Sequence, residues 1–302
     1  MHSPNRSVAM LTAISALLLG LIAPTSAQAL VQVRPSTHWG YVYAGNSKNV
    51  NQSAQPKVGK LEKKSKFIVK YNNFPEWTKA QVQASIDVWA ANFESKVPIY
   101  IDATWGRSSS FSILGSARPG SYFSNFSGAP DASLWYPSAL ANALAGKDLD
   151  GDNPEMIITV NSLANWYRGG GSGPSKSEYD LQSVILHEMA HGLGFLSTDS
   201  YDDFFGYGSI DQPTAYDAYV QTGDGRRLSD LPSPSLELGE ALTSKLVWSG
   251  PLGIAANGGV KPLLYTPKKY EDGSSVSHLD EAAFSSAGLD AVVSPNLDAG
   301  EI

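Results

Sequence analysis

Residues 184–195 read VILHEMAHGLGF. A helix that has to bury Val184, Ile185 and Leu186 carries two histidines and a glutamate at the same place. Positions four apart lie one turn above each other on one helix face. His187 and His191 therefore point the same way, and two imidazoles can share one cation. Glu188, one residue on, is rotated off that face but stays within reach of a water held by the ion. Upstream, Ser177-Glu178-Tyr179-Asp180 has the form of a capping box and starts the helix near Glu178. Gly192 and Gly194 end it immediately after His191.

Working outward, the glycine run GGGSG at 169–173 separates this helix from EMIITV at 155–160, the clearest strand near it. Further upstream, FIVKY at 67–71 reads as a strand. Val82, Ile86, Trp89 and Phe93 share one face of a helix over 78–93. Branched and aromatic residues over 97–105 predict a second strand, 111–114 a third, and 138–145 a short helix. Beyond the motif the texture turns to Gly, Pro, Ser and Asp, with a hairpin signal at Gly223-Asp224-Gly225 and a helix over 236–247. No repeat of fixed period is visible. The pattern predicts an α+β fold: an N-terminal lobe over 66–194 with a mixed sheet and the motif helix, and an irregular C-terminal lobe over 195–302.

The first 29 residues have the form of an export signal, with Arg6, an apolar run over 8–23 and Ala27-Gln28-Ala29 as a small-residue cleavage site. The run is short for a membrane span and carries Thr12 and Ser15, so no anchor is expected after cleavage. Residues 30–65 are rich in Asn, Gln, Ser and Lys and read as a leader or propeptide. The net charge of −7, one unit more negative without Arg6, disfavours nucleic acid and anionic lipid as partners. Cysteine is absent, so neither disulfides nor thiolate ligands are available. Metal must sit on His, Asp, Glu or Tyr.

A catalytic zinc takes three protein ligands and leaves a fourth position open. The compact spacing H-E-x-x-H-x-x-G-x-x-H would place the third ligand at Ser197, a poor one for zinc. Of five histidines, His2 leaves with the signal and His38 lies in the leader. His278 remains, far downstream in GSSVSHLDE at 273–281. Asp199, Asp211 and Asp217 are the alternatives, although Pro213 argues against the second helix that a ligand at 211 would need.

HEMAHGLGF at 187–195 is similar to the active-site segment of the leishmanolysin-like metzincins, zinc metalloproteases whose third histidine follows a long insertion. That histidine stands in a Ser-His context shortly before a turn of the form Leu-Met-x-Pro. Ser277-His278 matches the first and Val292-Val293-Ser294-Pro295 approximates the second. The chain also resembles secreted bacterial zincin-like proteases. The specific likeness covers 178–196 and 274–296. It implies a zincin-like fold, zinc on His187, His191 and His278, and Glu188 as general base. Val293 stands where metzincins have methionine, and is expected to supply an apolar floor beneath the imidazoles.

The implied activity is that of a secreted (extracellular or periplasmic) zinc endopeptidase acting on proteins or peptides, with 156–160 as the edge strand that pairs with substrate. The alternative is a non-catalytic, metal-stabilised extracellular binding or adhesion protein on the same fold. A serine hydrolase has little support, since no G-x-S-x-G elbow is present. Asp148, Asp150, Asp152 and Glu155 could hold Ca2+, although the glycine is misplaced for an EF-hand and a solvated turn is the plainer reading. Trp135, Tyr136, Trp166 and Tyr167 are expected in the core or flanking a cleft. The oligomeric state is not legible.

Overall fold

The computed structural model describes residues 31–45, 62–170, 173–210, 212–286 and 291–302. The expected export signal, the stretch 46–61 of the leader and the alternative ligand Asp211 lie outside the described residues. The first two thirds of the chain supply β1 (Gln32–Pro35), β2 (Gly40–Ala44), β3 (Phe67–Asn72), α1 (Lys79–Asn92), β4 (Ile99–Gly106), β5 (Ile113–Pro119), β6 (Ser121–Ser124), β7 (Tyr136–Pro137), α2 (Ser138–Ala145), β8 (Met156–Asn161) and α3 (Leu181–Leu193). Shorter pieces follow: β9 (Ser200–Tyr201), β10 (Gly208–Ser209), β11 (Val220–Thr222), α4 (Leu236–Leu242), β12 (Leu246–Trp248), α5 (Pro251–Ala256), α6 (Glu281–Ser286) and β13 (Asn296–Leu297).

Six strands form one mixed sheet in the order β13-β2-β5-β8-β4-β3. β3, β4 and β8 run parallel, with α1 as the crossover that parallel neighbours need. β5 is antiparallel to both β8 and β2. α1 and α3 pack together on the sheet, because Val82 and Ile86 from one helix and Leu181, Ile185 and Met189 from the other meet Ile101, Leu114 and Ile158 in a single core. Two bonds lock the helix pair: Ser85 Oγ donates to the Gln182 carbonyl at 2.8 Å and Trp89 Nε1 to the Leu186 carbonyl at 3.1 Å. A second core, around Ile210, Leu228, Leu238, Leu246, Leu264 and Val276, belongs wholly to the C-terminal part.

The structure revises several expectations. Residues 156–160 are not an edge strand: β8 is bonded to β4 on one side and β5 on the other, so its backbone has nothing left for a substrate. The strand expected at 111–114 begins at Ile113 and runs to Pro119, with Phe111 in the preceding turn and 85% exposed. Two strands appear in the leader. β1 pairs with β6, and β2 enters the main sheet between β5 and β13. The helix expected over 236–247 stops at Leu242, and the chain re-forms as β12, paired with β11. The turn at 223–225 closes through the Thr222 amide on the Arg226 carbonyl and a single bridge between Gln221 and Arg227, without a longer hairpin.

The four expected aromatics do not form one group. Trp166 joins the main core, Tyr136 packs edge-on against Phe126, and Trp135 lies under the Arg34 guanidinium. Among the described residues no helix is long and apolar enough to cross a membrane.

Candidate metal centre

α3 starts at Leu181 rather than near Glu178. Its cap is Asp180, whose carboxylate accepts the Ser183 amide at 2.8 Å. The helix continues through Gly192 to Leu193 and ends at Gly194, whose φ of 112° closes the helix at little steric cost only for glycine. On this last stretch His187, Glu188 and His191 are all buried.

The third histidine arrives from far along the chain. His278 Nε2 lies 3.1 Å from His187 Nε2 and 3.2 Å from His191 Nε2, and the latter two are 2.9 Å apart. Each ring is oriented by its other nitrogen. Nδ1–H donates to the Val292 carbonyl in His187 at 2.9 Å, to Phe195 in His191 at 2.7 Å and to Ser274 in His278 at 2.8 Å. A carbonyl can only accept, so these bonds fix the proton on Nδ1 and leave a lone pair on every Nε2.

Three inward lone pairs cannot satisfy one another, and they are sealed from water. Burial holds all three histidines neutral: His187 and His278 are pushed well below the usual histidine range, and His191 is lowered to about 4. Neutral, desolvated imidazoles converging on one point are the donor set that zinc takes. Zinc bonded to three nitrogens at about 2.0–2.1 Å sets them roughly 3.3 Å apart in tetrahedral geometry, a few tenths of an ångström wider than here. The residues therefore fit a metal ion such as Zn2+.

The segment carrying His278 is held under strain. Val276, a β-branched residue, has φ of 66°, in the left-handed region that such side chains avoid. Such strain costs on the order of 1–3 kcal/mol. Tyr265 holds it by accepting the Val276 amide and donating to the His278 carbonyl, both at 2.8 Å, while the Tyr216 hydroxyl bonds the Val276 carbonyl at 2.6 Å. The turn at 292–295 also acts through its main chain. Besides orienting His187, it accepts the Leu279 amide on the Val293 carbonyl at 2.8 Å.

Glu188 faces the sheet. A Cβ added to Gly115 of β5 would lie 2.6 Å from its Oε1. Neither carboxylate oxygen has a hydrogen bond of full geometry. Burial pushes this carboxyl well above the usual range, opposed by the amide of Val42.

Of the alternative ligands, Asp199 and Asp217 stand outside the triad. Asp217 accepts from Ser197 Oγ at 2.6 Å, the Thr214 amide at 2.8 Å, Thr214 Oγ1 at 2.9 Å and Thr198 Oγ1 at 3.2 Å, a saturated structural carboxylate. Asp199 is buried beside it, and its carboxyl is pushed up to about 8 by burial and then by the charge of Asp217. The Ser197 amide also donates to the Ser277 hydroxyl oxygen at 3.0 Å, tying the exit of α3 to the third ligand's neighbour.

Of the four acidic residues considered for calcium, Asp148, Asp150 and Glu155 come together, without Asp152. Glu155 already accepts the Tyr100 amide at 2.6 Å and Asn142 Nδ2 at 2.9 Å, so the unpartnered oxygens there belong to Asp150.

Residues of β2 complete the surroundings, and the sequence reading assigns them no part in the site. A Cβ on Gly40 would fall 2.3–2.6 Å from three atoms of the His191 ring. GYVYA at 40–44 carries the aromatic and branched residues of a strand, a signal masked by the polar leader around it.

No family model matches this chain, and comparisons with curated proteins and with solved structures return no similar protein.

Proposed function

We propose that the chain is a secreted zinc-dependent endopeptidase of the metzincin type, acting on polypeptide substrates. The observation that carries this reading is the convergence of three Nε2 atoms, two from one helical turn and one from His278, beside a buried carboxylate with unsatisfied oxygens. Zinc on three neutral imidazoles would keep its full charge, supplying Lewis acidity and lowering the pKa of water from about 15.7 towards about 7. Glu188 would serve as the base that takes a proton from water held there and returns it to the departing amine. Export rests on the signal-like first 29 residues.

A second reading, a metal-stabilised binding protein without catalysis, is favoured by the burial of the triad and Glu188 beneath β2. Zinc content and peptide cleavage, measured together, separate the two. In whichever form of the chain cleaves peptide, Glu188→Ala should keep its zinc and lose cleavage by about 10²–10⁴-fold, whereas His278→Ala should lose both. Cleavage that survives in Glu188→Ala, or zinc occupancy that survives unchanged in His278→Ala, overturns the assignment.

A further inference from the structure

β2 covers the centre in a particular register. Gly40 pairs with Ala117 and Val42 with Gly115. Gly40 abuts the His191 ring and Gly115 abuts Glu188, so residue 40 lies at a ligand and residue 42 at the carboxylate. The peptide unit between Tyr41 and Val42 spans the interval. Its polar groups point apart: the Tyr41 carbonyl meets His278, and the Val42 amide meets Glu188. A carbonyl turned to the ligands and an N–H turned to the carboxylate is the orientation in which metal-assisted hydrolysis presents a peptide bond.

The strand is held by main-chain bonds on both sides, antiparallel to β5 and parallel to β13. Tyr43 N–H donates to the Pro295 carbonyl at 3.0 Å and Gly45 N–H to Leu297 at 2.8 Å. Upstream, the Arg34 guanidinium lies over the rings of Tyr122 and Trp135 at 4.7 and 5.0 Å and donates to the Gln212 carbonyl at 3.2 Å. Such backbone recognition is sequence-tolerant, and a second peptide could make the same bonds.

We propose that Gly40–Ala44 is an intramolecular ligand that fills a peptide-binding groove between β5 and β13 in the register of a substrate, with the bond between Tyr41 and Val42 across the histidine triad, and so keeps the site closed. The assignment rests on the peptidase reading above. It makes the leader an inhibitor that needs no cysteine. The groove takes an extended peptide with a residue lacking Cβ against His191 and a branched aliphatic two positions on. Tethering gives the ligand a millimolar-scale effective concentration, so free peptides are excluded while it stays attached.

The test uses the full zinc-loaded chain in three forms: wild type, Tyr43→Pro, which removes the amide bonded to Pro295, and a chain cut at a site-specific protease sequence inserted between β2 and β3. The rate at which a chelator strips zinc, hydrolysis of an unstructured peptide, and near-ultraviolet circular dichroism are read for each. Stripping should accelerate on the order of tenfold or more in both altered forms, hydrolysis should appear, and a synthetic peptide of residues 37–45 should restore slow stripping. Unchanged stripping in both folded forms overturns the proposal, and so does loss of tertiary signal in both, which would make β2 a structural strand. Hydrolysis that is already as fast in the uncut wild type refutes the groove assignment alone. Accelerated stripping without hydrolysis refutes the peptidase reading and keeps the groove.

Discussion

Asp199 and Asp217 show how two neighbouring carboxylates divide between structural roles. Four donors from Ser197, Thr198 and Thr214 surround Asp217, while Asp199 is desolvated next to it. A carboxyl whose folded pKa is raised contributes stability that is present below its unfolded value and lost as pH climbs through the folded one. For Asp199 that window runs from 3.8 to about 8. In the metal-free chain Asp199→Asn, which mimics the protonated form, should therefore gain stability over wild type at pH 8 and not at pH 5, a comparison in which the opposite titration of the buried histidines cancels. An unchanged pH dependence in that variant would place the titrating group elsewhere. The same region separates what sequence reveals from what it hides. His278 was legible because histidine is scarce and the others had been assigned. That Asp217 is a saturated acceptor was not, since its donors come from two separated stretches and meet only in the fold.

At the scale of elements, α3 does most to define the centre, because one helix sets two imidazoles and the carboxylate in fixed relation. Its first turn is secured by Asp180, so Asp180→Ala should lower stability by about 1 kcal/mol and Asp180→Ser should recover most of it. Urea melts of the metal-free forms measure this, and equal midpoints for all three would show the cap to be inert. The helix was legible because its apolar period, motif and terminal glycine agree. Its start was not: Ser177 and Asp180 are both competent caps, and only Asp180 has its carboxylate on the Ser183 amide. Strand existence was mostly legible, as β3, β4 and β8 attest. Strand order was not, because nothing local in EMIITV distinguishes an edge from a centre, and its neighbours are set by pairings with residues 99–106 and 113–119. β2 escaped for a related reason: five residues of good pattern carry little weight within a polar stretch, yet main-chain bonds from β5 and β13 recruit them.

Among the described residues the two larger cores have different composition and support. The first is built on the sheet and helix pair, whereas the second gathers residues 210–276 around short strands and turns. The triad draws one ligand from the segment that Val276 anchors in the second core. Metal removal should thus act unevenly. In the stripped chain, amide exchange should accelerate across 274–279 and 291–297 while β4 and β8 keep their protection, and restoring zinc at about a thousand times its Kd should return about 4 kcal/mol. Uniform acceleration, followed by mass spectrometry, would show instead that the ion supports both cores alike.

The distance in sequence between His191 and His278 carries a final consequence. They stand 87 positions apart and meet at 3.2 Å in a protein without cysteine. An ion bonded to both would act as a reversible cross-link, closing a loop whose entropy in the unfolded chain is worth about 4–5 kcal/mol by the relation used for disulfides. Such a staple opens with acid or a chelator and is indifferent to reductants. Durability would then follow the supply of metal rather than the redox state of the surroundings.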